Sequence, residues 1–161
     1  MAQSALDTSN LPRIDNPGRI AILKSKWYPD LVDSLGDTCE RVLRANGIER
    51  IETHTVPGTL ELPLAAEDLL ATDSAGDLDA VICFSIILKG ETAHFEMVSE
   101  ESMRGLGEVS RRHRRPVIVE VIPVYEMAHA IARASDDEFN KGIEAAIAAI
   151  EMIAWRRSIG A

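Results

Sequence analysis

Ala80-Val81-Ile82-Cys83-Phe84-Ser85-Ile86-Ile87-Leu88 is apolar at every position but Ser85. A strand with one wet face alternates apolar and polar residues; a continuous run rich in branched and aromatic residues predicts a central parallel strand covered on both faces. Lys89-Gly90-Glu91-Thr92-Ala93-His94-Phe95-Glu96 follows, and Phe95, Val98, Ser102, Leu106 and Val109 recur at helical spacing up to the basic stretch 111–115. On the N-terminal side, strand patterns at 19–24 and 51–56 alternate with helical patterns at 29–46 and 62–71. The first helix carries the stripe Leu31, Leu35, Val42 and Leu43 and is stopped by Gly47, and Pro57-Gly58 and Ser74-Ala75-Gly76-Asp77 read as turn and loop. On the C-terminal side lie a strand at 117–124, a short helix at 125–133 and a final helix at 140–158 with Ile143, Ala146, Ile147, Ile150 and Ala154 inward. This order predicts a four-stranded parallel sheet between two helical layers, in one domain spanning 18–161. Residues 1–17 show no periodicity and read as an N-terminal arm ordered only by contact.

The chain has 161 residues, 46% apolar, and a formal charge of −9. That charge argues against nucleic acid or an anionic membrane surface as the main partner, so any anionic ligand requires a local cationic site. The run 111–115 therefore reads as a helix C-terminus whose cations complement the dipole. Cys39 and Cys83 stand apart from each other and from any metal-binding spacing, as buried thiols in a reducing compartment would. No apolar run approaches the ~18 residues of a membrane span and no signal pattern opens the chain, so the expected location is the cytoplasm.

Ligands of open α/β sheets bind outside the carboxyl ends of the strands. Four loops meet that rim: Ser25-Lys26-Trp27-Tyr28, Val56-Pro57-Gly58-Thr59-Leu60-Glu61, the His94 segment and Pro123-Val124-Tyr125. Trp27 either caps the core or offers a plate for a planar ring. Glu61 either complements a helix N-terminus or accepts hydrogen bonds from ligand hydroxyls. The strand-Gly-helix passage at Gly90 suits an anion, with His94 beside it as a surface residue or a proton-transfer group.

Four segments, VPGTLELPLAA (56–66), ILKGETAHFE (87–96), Ala132-Arg133-Ala134 and NKGIEAAIAAIEM (140–152), together resemble the lumazine synthase family of riboflavin biosynthesis, over about residues 18–158. The resemblance implies a flavodoxin-like three-layer α/β/α sandwich assembled as a homopentamer, with active sites at subunit interfaces. It implies two small-molecule substrates, 5-amino-6-(D-ribitylamino)uracil and 3,4-dihydroxy-2-butanone 4-phosphate, joined with loss of phosphate and water and without metal or organic cofactor. By position, Trp27 matches the residue that stacks on the pyrimidine, Thr59, Leu60 and Glu61 the ribityl-binding segment, and Ile86, Ile87 and Leu88 the backbone that holds the pyrimidine edge. Gly90, Glu91 and Thr92 match the phosphate-side loop and His94 the proton-transfer histidine. Arg133 matches the phosphate anchor supplied by the adjacent subunit, and Lys141 a supporting lysine. The chain departs from the pattern at Val119, where an aromatic wall is usual, at Pro123-Val124, at Trp27-Tyr28, at Thr59-Leu60 and at Lys89.

A non-catalytic flavin- or lumazine-binding paralogue would need neither His94 nor Arg133. A signalling receiver would need acids where Lys24-Ser25 stand, and a Rossmann or P-loop enzyme a glycine-rich loop after the first strand. Shell-forming relatives carry Gly two residues before the Lys of Asn-Lys-Gly, where this chain has Phe139. Together with the acids Asp136, Asp137 and Glu138, this gives the expectation of an isolated pentamer.

Overall fold

The computed structural model describes residues 6–161. Its elements are β1 (Arg19–Ser25), α1 (Pro29–Ala45), β2 (Ile51–Val56), a 3₁₀ turn (Thr59–Glu61), α2 (Leu62–Ala71), β3 (Leu78–Leu88), α3 (His94–His113), β4 (Val117–Val124), α4 (Met127–Ala134) and α5 (Lys141–Ser158). The sheet runs β2-β1-β3-β4 with all three pairings parallel. The four-stranded three-layer α/β architecture expected from the sequence is thus present. β3 is central, and every residue from Ala80 to Ile87 is buried.

Alternation along the inner strands feeds two cores. Ile20, Ile22, Ala80, Ile82, Phe84 and Ile86 pack under α1, α4 and α5, while Ala21, Leu23, Val81, Cys83 and Ile87 pack under α2 and α3. Each fully buried Ile or Leu contributes roughly 1.5–3 kcal/mol by leaving water, so β3, which serves both layers, ties the molecule together. Cys39 and Cys83 lie one in each core as free thiols, and burial pushes both away from ionisation.

Three of the boundaries that differ from the sequence reading have a visible cause. β3 begins at Leu78 instead of residue 80, because Asp79 is a polar strand residue with partners: its carboxylate accepts the Gly18 N–H at 2.6 Å and Arg157 at 2.8 Å. α4 begins at Met127 instead of residue 125, since Glu126 is extended and the Tyr125 ring lies 5.8 Å from that of Phe95. Asn140 is the cap of α5, its Oδ1 accepting the Gly142 N–H at 2.8 Å. Gly47, just past α1, has φ +84°, as a helix-stopping glycine requires. In the stretch read as an arm, residues 1–5 lie outside the described residues. Leu11 and Ile14 pack on the α1/α5 core, and Arg157 donates to the carbonyls of Asp15 and Asn16.

The first turn of α5 crosses α1 at Gly142, where a Cβ would stand 2.2 Å from the Leu35 carbonyl and 2.9 Å from the Cys39 nitrogen. Both obstacles are helix backbone and cannot swing aside. Gly142→Ala therefore forces the two helices apart, at a cost of about 1–3 kcal/mol or more. Urea unfolding measures it, and a variant as stable as the parent would mean that α5 shifts freely on α1.

Candidate active site

β1 ends at Ser25, and the chain turns sharply through Tyr28, which has φ +55° and leads directly into Pro29 at the start of α1. This turn leaves Trp27 standing out at the carboxyl end of the sheet, 63% exposed, which excludes the core-capping alternative. The second rim loop lies opposite. Gly58 is buried in it because the Glu61 carboxylate folds over its Cα: a Cβ there would meet Glu61 Oε2 at 2.8 Å and the Trp27 indole nitrogen at 3.7 Å.

Between these loops and the end of β3 lies a cleft of about 310 Å³, walled by Trp27, Tyr28, Gly58, Thr59, Leu60, Glu61, Ile86, Ile87, Leu88, His94 and Val98. Eight residues singled out from the sequence, Trp27, Thr59, Leu60, Glu61, Ile86, Ile87, Leu88 and His94, thus come together on one wall system. Its size and mixed lining suit a small organic molecule carrying a flat ring and polar groups. The loop holding Gly90, Glu91 and Thr92 is exposed and is not part of the cleft lining, and the His94 N–H donates to Thr92 Oγ1 at 3.4 Å. His94 is the first residue of α3, where unpaired N–H groups and the positive dipole end favour an anion. Lys89 lies over the Phe95 ring at 4.9 Å and pairs with Glu96.

Sequence reasoning missed what anchors this wall. Ser85 Oγ lies 2.8 Å from Ser25 Oγ and 2.6 Å from Thr59 Oγ1, and all three hydroxyls are buried. They link the ends of β1 and β3 to the turn that carries Glu61. The clue was Ser85 itself, the polar interruption of an apolar strand, because a buried hydroxyl needs a partner. Tyr28, Gly58 and Val98 were likewise absent from the expected site residues.

Besides Glu91 and Thr92, three expected site residues lie outside the cleft lining. Val119 is a half-buried β4 residue packed on the α2/α3 core. Arg133, in the last turn of α4, donates to the His129 carbonyl at 2.9 Å, and Lys141 pairs with Glu144 at the start of α5. None of the three lines the cleft that holds Trp27. Beside Lys141 is Glu120 of β4, whose carboxyl is pushed up to about 7 by burial first and the Glu144 carboxylate second, against the opposing pull of Lys141. Among the described residues no cluster of His, Cys, Asp or Glu could hold a metal ion, and no helix is long and apolar enough to cross a membrane.

A parallel α/β sandwich with an aromatic plate, a carboxylate and a histidine at the carboxyl ends of its strands defines a small-molecule enzyme of the open-sheet class. The family model described as 6,7-dimethyl-8-ribityllumazine synthase matches residues 17–157, and the chain belongs to that family. It is similar to proteins named 6,7-dimethyl-8-ribityllumazine synthase from Xanthobacter autotrophicus, at 41% identity over 89% of this chain and 87% of the relative, and from Nitrobacter hamburgensis, at 38% over 88% and 87%. A protein of the same name from Campylobacter concisus is 35% identical over 88% of this chain and 90% of its own length.

The raised Glu120 carboxyl has a consequence for stability. Between its ordinary value of 4.5 and about 7 the folded chain holds a proton that the unfolded chain has lost. Stability therefore falls as pH rises through that window. Glu120→Gln is expected to flatten this fall and to be more stable than the parent at pH 8. Equal slopes of unfolding free energy against pH in the two proteins would rule Glu120 out as the cause.

Proposed function

We propose that this chain is a 6,7-dimethyl-8-ribityllumazine synthase, a transferase that condenses 5-amino-6-(D-ribitylamino)uracil with 3,4-dihydroxy-2-butanone 4-phosphate in riboflavin biosynthesis. The observation that carries the reading is the convergence of Trp27, Glu61 and His94 on one rim cleft in a member of that family. In this reading the pyrimidine stacks on Trp27, its edge meets the backbone of Ile86, Ile87 and Leu88, and the ribityl hydroxyls bond to Glu61 beside Thr59 and Leu60. The phosphate of the second substrate sits at the Gly90-Glu91-Thr92 loop against the start of α3.

The ring amine attacks the ketone carbon and water leaves, giving an imine. Loss of a carbon-bound proton then expels phosphate and leaves an enol that tautomerises to a ketone; the second nitrogen adds to that carbonyl carbon, and its oxygen leaves as a second water as the new ring closes. Most of the acceleration comes from holding two substrates in register. His94 carries protons between nitrogen and oxygen atoms, an effect of about 10²–10⁴-fold in general acid–base catalysis. Arg133 neutralises the departing phosphate. Because Arg133, Lys141 and Val119 lie outside the cleft of their own chain, they serve the cleft of a neighbour, in a homopentamer that works in the cytoplasm. Free buried thiols and a large negative charge are consistent with that setting.

Mixing purified protein with both substrates and following lumazine absorbance tests the activity, and no absorbance change with either order of addition would refute it. His94→Ala is expected to lower kcat while leaving fold and particle size unchanged. Identical kinetics from pH 6 to 8 would remove His94 from proton transfer. Arg133→Ala is expected to raise KM for the phosphate-bearing substrate far more than for the ribityl substrate, whereas equal increases would separate Arg133 from phosphate.

Phe139 turns its loop without a positive φ, its N–H donating to Asp137 Oδ1 at 2.8 Å. This supports the isolated pentamer. Light scattering is expected to give about 88 kDa, five times the 17.6 kDa chain, and a particle near one megadalton would overturn it.

A further inference from the structure

Most arginines of this acidic chain are held by carboxylates, as Arg19 is by Glu52, Asp73 and Asp77, and Arg104 by Glu101 and Glu108. Among the described residues, five have no carboxylate within 4.0 Å: Arg111, Arg114, Arg115, Arg133 and Arg156. Arg133 is the candidate phosphate anchor. The other four line one cleft of about 270 Å³ with Ser110, Pro116 and Met152, and no acid shares its walls. An adjoining cleft of about 180 Å³, which Ala161 also lines, shares Arg115 and Arg156, and the acidic side chain in its lining, Asp79, is already engaged by Arg157 at 2.8 Å.

The helix-terminus explanation of residues 111–115 accounts for only part of this. Arg111 belongs to the last turn of α3 and Arg156 to the last turn of α5. Two helix ends supply together about one negative charge, which leaves about three of the four guanidinium charges uncompensated. Arg114 caps α3 in the left-handed conformation, with φ +51°, and Arg115 follows it, its N–H donating to the Ser110 carbonyl at 3.2 Å. The backbone thus turns two successive arginines onto the wall to which α5 brings a third.

We infer that this cleft is a binding site for a small phosphate-bearing polyanion. Guanidinium forks match phosphate oxygens in pairs, and four arginines on the walls of one cleft favour two or more linked phosphates over one. With only Pro116 and Met152 as apolar walls, the site has little to offer a large organic moiety. It is separate from the candidate active site: Val81 pairs with Val117 near the arginines and Ile87 with Pro123 near the rim, six residues or roughly 20 Å along the strands. The inference is independent of the proposed activity.

The test is calorimetric titration with tripolyphosphate, and separately with orthophosphate, at about 0.15 M salt, where loosely attracted ions are screened. The intact protein is expected to bind tripolyphosphate more tightly than orthophosphate. Arg115→Ala/Arg156→Ala and, independently, Arg111→Ala/Arg114→Ala are each expected to weaken that binding on the order of ten-fold or more. Arg133→Ala is expected to leave it unchanged, and both double variants to keep the parent's circular dichroism and lumazine-forming rate. Unaltered binding in both double variants, or loss of binding in Arg133→Ala, would overturn the site. So would a change of particle size in Arg156→Glu with no tripolyphosphate binding by the parent, because the arginines would then be meeting carboxylates of another subunit.

Discussion

The double burial of β3 is the constraint from which the rest follows. A strand with no wet face must have its backbone groups paired on both edges and its side chains covered on both sides. β1 and β4 supply the edges, α1 with α5 one cover, and α2 with α3 the other. Once both covers are in place, the remaining open ground is at the strand ends and along the outer edges of the sheet. At the carboxyl ends, loops of unequal length leave room for a ligand between them.

The outer edges divide the chemistry. Trp27, Glu61 and His94 gather at the end of β1 and β3, whereas Val119, Arg133 and Lys141 belong to β4, α4 and the start of α5. The first group lines one cleft, and the second lies outside its lining. Under the proposed function, the stacking and hydroxyl-binding groups would come from one subunit and the phosphate-neutralising groups from another.

Much of this was legible in the sequence because its signals are local. The apolar run at β3, the proline and glycine turns and the helical stripe of α1 each specify an element from its own residues. The rim rule then brought Trp27, Glu61 and His94 onto one side. What was illegible depended on register or on distant partners. Asp79 hid the start of β3 because its partners, Gly18 and Arg157, are 61 and 78 residues away. The hydroxyl contacts of Ser85 follow from the alignment of β1 beside β3 and from the path of the turn at Thr59, neither of which any single segment encodes. The arginines at 111–115 looked like an ordinary helix end until α5 was seen to bring Arg156 against them.

The three hydroxyls beneath the cleft have a property beyond anchoring. Ser85 has one proton to give, and it lies between Ser25 and Thr59 at hydrogen-bond distance from both. When Ser85 gives its proton to one neighbour and accepts from the other, the row runs in one of two directions. If protons point from Thr59 towards Ser25, the Thr59 hydroxyl keeps spare lone pairs; if they point the other way, it keeps a free O–H. The same heavy-atom framework can thus offer either a donor or an acceptor at its Thr59 end, by a collective rotation of three protons.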